Sequence, residues 1–164
     1  MGVHPLIGKR APEVTLLSAT SEPYVLKPGT TCRPMAIFFY PASGTYGCTR
    51  EACEFRDALA KKEIFKRTEC DIVGISCDPP EKQKLFVDQN DLPYPVLSDT
   101  AEEASKLYSV SKGLLGLSKG RVTFFIDRDG TVLDVYESVL QFSQHTTFVE
   151  KQLAMLPEKA ASGA

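Results

Sequence analysis

Two apolar segments, separated by one amphipathic segment, constrain the fold of this chain more than any other feature. The first is MAIFFY at residues 35–40 and the second is IVGISC at residues 72–77. Such runs are typical of strands that are buried on both faces of a sheet. Between them, apolar residues recur at three- and four-residue steps, which predicts a helix from about Cys48 to Arg67. Because a helix between two buried strands makes a parallel crossover, the sequence predicts an α/β fold.

The remaining elements are predicted from alternation, capping and turn signals. A short strand is predicted at 13–17, and a loop at 22–34 because that segment holds three prolines and a glycine. Asp78 is the predicted N-cap of a second helix, and a short helix follows Asp99. The last predicted elements are a loop at 112–120, a hairpin of strands 121–127 and 131–138, and a helix at 143–156. This order predicts one domain over residues 1–164, with a central mixed sheet and helices on both faces.

Composition narrows the function classes and the compartment. The 19 basic and 21 acidic residues give a net charge of −2, which argues against a nucleic-acid partner because phosphates require a surplus of cations. No apolar run approaches the ~18–20 residues of a membrane span, so no membrane partner is expected. Five cysteines cannot all pair within one chain. We therefore expect a reducing intracellular compartment, cytoplasmic by default, with the nucleus or an organelle as alternatives.

Cys48 is the strongest candidate for a reactive side chain, because it lies where the first buried strand gives way to a helix. Unpaired amides and the positive end of the helix dipole stabilise a thiolate at such a position, and the thiolate is the nucleophilic form. Gly44 and Gly47 allow the backbone to approach a substrate closely. Thr45 lies three residues before Cys48 and can place a hydroxyl beside the sulfur. The sequence thus predicts a nucleophilic thiol at this turn.

Cys53 lies five residues after Cys48 in the same predicted helix. In an intact helix the Cα atoms of two such residues are roughly 8–9 Å apart, whereas a disulfide requires less than about 7 Å. A Cys48–Cys53 bond therefore requires the first turns of the helix to unwind. The alternative interpretation of Cys53 is a buried structural cysteine.

The segment from Phe39 to Asp57 resembles the active-site region of peroxiredoxins of the Q type, also called bacterioferritin comigratory proteins. Its core is the pattern Pro41-x-x-x-Thr45-x-x-Cys48. The resemblance continues through most of the chain, at 8–12, 74–76, 92–99 and 121–130. It implies a thioredoxin-like fold for the predicted α/β domain.

The resemblance also implies a thiol-dependent peroxidase that reduces hydrogen peroxide and organic hydroperoxides. Cys48 would be the peroxidatic cysteine, which becomes a sulfenic acid, and Cys53 would resolve that acid as an intramolecular disulfide. Thr45 would orient the peroxide and Arg121 would stabilise the thiolate and the leaving oxygen. Pro41 would line the pocket and restrict the access of water.

Partners and cofactors follow from the same resemblance. Thioredoxin is the implied reductant, with glutaredoxin as the alternative, by thiol–disulfide exchange. No metal or other cofactor is implied, because the thiolate carries the redox chemistry. A monomer is expected, with a weak dimer as the alternative. Two other functions stay open: a peroxide sensor that relays its oxidation to a partner protein, and a redox-gated holdase.

The other three cysteines are interpreted from their positions in the predicted elements. Cys70 is expected in the core and Cys32 in an exposed loop. Cys77 ends a buried strand, and an alternative resolving role for it stays open. Glu51 matches a family position near the active site, without an assigned role.

Overall fold

The computed structural model describes residues 3–110 and 120–157. The strands are β1 Val14–Leu17, β2 Pro23–Leu26, β3 Met35–Phe39, β4 Asp71–Ser76, β5 Val96–Ser98, β6 Val122–Ile126 and β7 Val132–Glu137. The helices are α1 Tyr46–Lys61, α2 Glu63–Thr68, α3 Pro80–Asn90, α4 Glu103–Leu107 and α5 Ser143–Met155. All of the predicted loop at 112–120 except Gly120 lies outside the described residues. Within residues 3–110 and 120–157, no helix is both long and apolar enough to cross a membrane.

The seven strands form one mixed sheet in the order β2-β1-β5-β4-β3-β6-β7. The two long apolar segments became β3 and β4, which pair in parallel from Met35–Asp71 to Phe39–Ile75. Strand β6 pairs with the other side of β3 in the antiparallel direction, and β7 completes the predicted hairpin. Strands β3 and β6 are buried along their whole length, as the continuous apolar sequence of β3 predicts.

Helices cover both faces of the sheet, as predicted. On one face, an aromatic cluster joins the sheet to α1, and the rings of Phe38 and Phe55 stack with centroids 4.7 Å apart. Helices α3 and α5 contribute Phe86 and Val149 to the same core. On the opposite face, Tyr108 follows α4 and packs on aromatic residues of the sheet. The first core lies directly behind Cys48 and anchors the helix that carries it.

The predicted loop at 22–34 was wrong in its first part, because residues 23–26 form β2. This strand pairs in the antiparallel direction with β1, with Leu16 opposite Tyr24. Pro23 occupies the first position of a strand at the edge of the sheet, where its missing N–H removes no hydrogen bond between strands. The prolines therefore bound the strand instead of excluding it.

The helix predicted from Cys48 to Arg67 is two helices. Helix α1 begins two residues earlier than predicted, at Tyr46, and the chain breaks at Lys62, whose backbone is extended (φ −84°, ψ 121°). The N–H of Lys62 donates to the carbonyl of Ala58 and caps α1. After this break α2 directs Phe65 into the core, where it is buried. The apolar periodicity continues through the break, so it did not reveal the break.

The predicted N-cap of α3 was also wrong. Pro79 holds that position, and the helix begins at Pro80. The carboxylate of Asp78 instead accepts hydrogen bonds from the N–H of Ser43 and the hydroxyl of Ser76, both at 2.7 Å. Asp78 thereby fixes the loop before α1, and its other oxygen pairs with Lys82 of α3 at 3.1 Å without capping that helix.

Candidate active site

Cys48 is the third residue of α1 and lies in its first turn, directly after the loop that follows β3. Its side chain is 1% exposed and belongs to the core cluster on that face of the sheet. Thr45 is the N-cap residue, with extended backbone, and no side chain caps the first turn. The amides at this helix end are therefore available to a negative charge at or near the Cys48 sulfur.

The loop between β3 and α1 is fixed by buried polar contacts. The hydroxyls of Tyr40 and Ser43 lie 2.8 Å apart, and both contact the side-chain carbonyl of Gln83 on α3. Gln83 in turn donates to the carbonyl of Leu97, so it ties the loop to the sheet. The turn itself requires glycine at position 44, where φ is +90°. Sequence analysis did not identify Gln83, because nothing local distinguishes it from a surface residue of an amphipathic helix.

Asp78 closes this polar network. Burial alone would raise the pKa of its carboxyl, but hydrogen bonds from Ser43 and Ser76 and the neighbouring Lys82 ammonium outweigh it and hold the pKa below its usual range. The ionised carboxylate therefore holds the backbone of the active-site loop in place through the Ser43 N–H.

Thr45 is exposed beside the start of α1, and its hydroxyl donates to the carbonyl of Ala42 at 2.9 Å. That hydrogen bond fixes the hydroxyl next to the entrance of the site and leaves its oxygen free to accept. Donation to a bound substrate would require the hydroxyl to rotate away from Ala42. Pro41 lies two residues after the end of β3 and is partly buried at the base of the same loop.

Arg121 immediately precedes β6 and is buried, with 6% of its side chain exposed. Its Nη1 donates to Glu51 Oε1 at 2.7 Å and its Nε donates to the carbonyl of Val139 at 2.9 Å. Its Nη2 lies only 3.2 Å from where a β-carbon on Gly47 would be. The guanidinium therefore packs against the first turn of α1, beside Cys48, and Gly47 makes room for it.

Glu51 lies one turn after Cys48 and is completely buried. Burial raises the pKa of its carboxyl to about 8, although the charge of Arg121 opposes this shift. His145 on α5 is also completely buried, and its Nδ1 lies 3.5 Å from Glu51 Oε2. The resemblance pointed to the position of Glu51, but His145 was not identified, since a lone histidine in a helix carries no distinctive signal.

Cys53 lies on another side of α1 and is partly buried against α3. Its Sγ donates to Asn90 Oδ1 at 3.5 Å, and burial raises the pKa of its thiol. Cys48 and Cys53 are both free thiols. The structure therefore does not bring these two sulfurs together, in agreement with the helical geometry expected of residues five apart.

The other three cysteines differ in environment. Cys70 is buried in the core, as expected, and burial raises the pKa of its thiol. Cys32 is exposed, as expected, and has a left-handed backbone (φ +58°). Cys77 follows β4 and lines a cavity of about 320 Å³ together with Tyr40. Among the described residues, no group of three or more potential ligands could hold a metal ion.

Tyr94 holds the middle of α1, since its buried hydroxyl donates to the carbonyl of Ala52 at 2.7 Å, between the two cysteines. We expect Tyr94→Phe to lower the free energy of unfolding of the reduced protein by about 1 kcal/mol, because one buried hydrogen bond is lost. Chemical denaturation measures this change. Tyr136→Phe is the matched control, because its hydroxyl is exposed, and its effect should stay within about 0.5 kcal/mol. Equal effects of the two variants would show that the Ala52 contact does not stabilise α1.

Comparison with known proteins gives matches over most of the chain. A sequence profile of the AhpC/TSA family matches residues 7–135. The chloroplastic peroxiredoxin Q of Gentiana triflora is 38% identical over 113 residues, which are 69% of this chain and 51% of that protein. This chain thus spans about half the length of that relative. A putative peroxiredoxin of Mycobacterium tuberculosis is 44% identical over 125 residues, which are 75% of this chain and 77% of that protein.

Solved structures agree with these matches. The crystal structure of peroxidoxin BcpB from Mycobacterium tuberculosis superposes with a TM-score of 0.81 at 36% identity, over 94% of this chain and 100% of that one. The bacterioferritin comigratory protein of Xanthomonas campestris gives a TM-score of 0.74 at 24% identity, over 86% of this chain and 90% of that one, and shows the fold alone. The predicted thioredoxin-like α/β class and the resemblance to peroxiredoxin Q are therefore confirmed.

Proposed function

Because the chain belongs to the AhpC/TSA family, we propose that it is a thiol-dependent peroxidase for hydrogen peroxide and organic hydroperoxides. The observation that carries this proposal is the position of Cys48 in the first turn of α1, with the buried guanidinium of Arg121 packed against the same turn. Both the helix end and the guanidinium favour negative charge on the sulfur and on the leaving oxygen. We assign Cys48 as the peroxidatic residue on that basis.

In the first step, the Cys48 thiolate attacks the terminal peroxide oxygen. An S–O bond forms, the O–O bond breaks, and the sulfur loses two electrons to become a sulfenic acid. The leaving oxygen takes a proton and departs as water or an alcohol. Arg121 would stabilise the charge that develops on it, and Thr45 would orient the peroxide by its hydroxyl. Pro41, at the base of the loop, would limit the access of water.

In the second step, Cys53 resolves the sulfenic acid. Its thiolate attacks the Cys48 sulfur, an S–S bond forms, the S–O bond breaks, and the leaving hydroxide takes a proton and departs as water. A dithiol of the thioredoxin class then reduces the disulfide by exchange and restores both thiols. Cys53 is favoured over Cys77 because it lies on the same helix as Cys48, so unwinding that one helix is sufficient to join the sulfurs.

Mass mapping of the peroxide-treated protein tests the pairing. We expect a Cys48–Cys53 disulfide in the wild-type protein. In Cys53→Ser, no such bond can form, and Cys48 should proceed to sulfinic and sulfonic acids with excess peroxide. A bond from Cys48 to Cys77 or Cys32 would contradict our choice of the resolving residue while leaving Cys48 as the attacking one.

Recycling by thioredoxin is tested separately, by NADPH consumption in the presence of thioredoxin and its reductase. Sustained turnover is the expected result. A single oxidation per molecule, with no recycling by thioredoxin or glutaredoxin, would instead favour a sensor that passes its oxidation to another protein. Prevention of client aggregation that persists in Cys48→Ser would indicate a holdase unrelated to peroxide chemistry.

A further inference from the structure

One carboxylate oxygen behind the candidate site has no hydrogen-bond partner. Glu51 Oε1 accepts from Arg121, but Oε2 is buried and receives no hydrogen bond from the described residues. An ionised oxygen left this way is costly, because it is removed from solvent and no described residue donates to it. The Nδ1 of His145 lies 3.5 Å from this oxygen.

The contacts of His145 fix which of its nitrogens carries a hydrogen. Nε2 lies 2.9 Å from the carbonyl of Ser138, which can only accept, so Nε2 carries the hydrogen. Nδ1 lies 2.7 Å from the hydroxyl of Thr123, which donates to it when the ring is neutral. His145 is also the third residue of α5, where the positive end of the helix dipole disfavours a second proton on the ring. Nδ1 therefore has no hydrogen to donate to Glu51 Oε2, and the one lone pair that it offers there already accepts from Thr123.

We propose that Glu51 is held as the neutral acid, with its proton on Oε2 facing His145 Nδ1, so that the charge of Arg121 remains uncompensated beside Cys48. His145 is then a positioning residue, which acts on the reaction through Glu51 and Arg121 and does not itself touch the peroxide. The consequence for catalysis rests on the proposed peroxidase function. The protonation state of Glu51 does not depend on that function.

Among the other charged and titratable groups around Glu51, Arg121 opposes the neutral state. Burial raises the pKa of Glu51 most and outweighs the charge and hydrogen bond of Arg121, and Glu54, on the same helix, adds to the rise by repulsion. Tyr94 contacts α1 from the other side and stays neutral, since burial raises the pKa of its phenol. Burial lowers the pKa of His145 to about 4, and Arg121 adds to this effect. Tyr136, on β7, packs edge-on against the imidazole.

The sign of the pH dependence follows directly. Below the titration midpoint of Glu51, Arg121 faces a neutral acid, and its full positive charge acts on the thiolate and the leaving oxygen. Above the midpoint, the carboxylate neutralises the guanidinium, so stabilisation of the developing negative charge weakens. The rate of Cys48 oxidation should therefore decline as the pH rises through about 8.

The direct test is a ¹³C NMR titration of the Glu51 carboxyl carbon in reduced protein labelled at glutamate. Its signal is assigned by its absence in Glu51→Gln. In the wild-type protein we expect a midpoint near 8. Single-turnover oxidation of Cys48 by hydrogen peroxide, measured over the same pH range, should decline with the same midpoint.

Two substitutions of His145 separate proton positioning from a structural role. His145→Asn keeps an acceptor, its Oδ1, near the place of Nδ1 but loses the donor to Ser138. His145→Gln keeps a donor near the place of Nε2 but loses the acceptor facing Glu51. We expect His145→Gln to lower the Glu51 midpoint by about one pH unit or more, and His145→Asn to leave it close to the wild-type value. If His145 served only as a structural anchor through its hydrogen bond to Ser138, His145→Asn would be less stable than His145→Gln. Neither variant would then shift the titration midpoint of Glu51.

A Glu51 carboxyl that is ionised across the whole range from pH 6 to 9 in the wild-type protein would overturn the proposal. So would an unchanged midpoint in folded His145→Gln. The wild-type titration decides the first point even if a variant does not fold. If Glu51 titrates as expected but the protein consumes no peroxide, the proposed function fails and the assignment of the proton stands.

Discussion

Cys48→Ser is expected to lower the rate of peroxide consumption by a factor on the order of 10³ or more, because the substitution removes the proposed nucleophile. A serine hydroxyl in the first turn of α1 stays protonated at neutral pH and cannot form a sulfenic acid. The helix end and Arg121 would still attract the peroxide, but no group would remain to take its oxygen. The measurement is hydrogen peroxide loss with thioredoxin and its reductase present in excess.

Cys32→Ser is the matched control for that experiment. It also exchanges a thiol for a hydroxyl, but Cys32 is exposed in the loop after β2 and takes no part in the proposed cycle. Its peroxide consumption should equal that of the wild-type protein. Residual turnover of Cys48→Ser within tenfold of the wild-type rate would refute the assignment of Cys48 and direct attention to Cys77.

The central part of the fold was predictable because its signals are local. Two apolar runs and the amphipathic segment between them are sufficient to predict β3, α1 and β4, and the Asp129-Gly130 turn predicts the hairpin of β6 and β7. Strand β2 was missed because its strand residues stand between prolines, and only pairing with β1 stabilises it. Such pairing is a tertiary effect, which local propensity does not report.

The candidate site was predictable to the extent that its residues share one turn. Thr45, Gly47 and Cys48 lie within four positions, so spacing alone places them together. Arg121 was indicated by the family resemblance, since no local pattern connects it to a helix more than 60 residues earlier.

The polar residues behind the site were not predictable from local patterns. Gln83 and His145 are ordinary in sequence, and each gains its role only where two or three elements converge. A buried polar residue is recognised by the partners it satisfies, and those partners are known only once the chain is folded.

Oxidation of the Cys48–Cys53 pair should unwind the first half of α1. The intact helix separates the two Cα atoms by roughly 8–9 Å, and Cys48 faces the core while Cys53 contacts Asn90 on α3. Closing the disulfide therefore breaks backbone hydrogen bonds of α1 between the two residues. It also disrupts side-chain contacts of this stretch, among them Tyr94 with Ala52.

Amide hydrogen exchange, read by mass spectrometry, measures this change. We expect protection of amides in the first half of α1 to fall roughly a hundredfold or more in the oxidised protein, because a stable helix is replaced by a locally unfolded segment. Protection of α5, which contains no cysteine, serves as the internal reference. Addition of dithiothreitol should restore the original rates, since the reduced chain regains its helical hydrogen bonds.

Cys53→Ser treated with one equivalent of peroxide is the control that separates the two oxidation steps. It reaches the sulfenic acid but cannot form the disulfide, so α1 should keep most of its protection. If this variant loses protection as fully as the wild-type protein, sulfenic acid formation itself opens the helix. If instead the wild-type protein forms the Cys48–Cys53 disulfide with α1 still protected, the bond closes without unwinding the helix, and our inference from the helix geometry is wrong. The rate of disulfide formation is limited by helix opening on our account, so Tyr94→Phe should increase it.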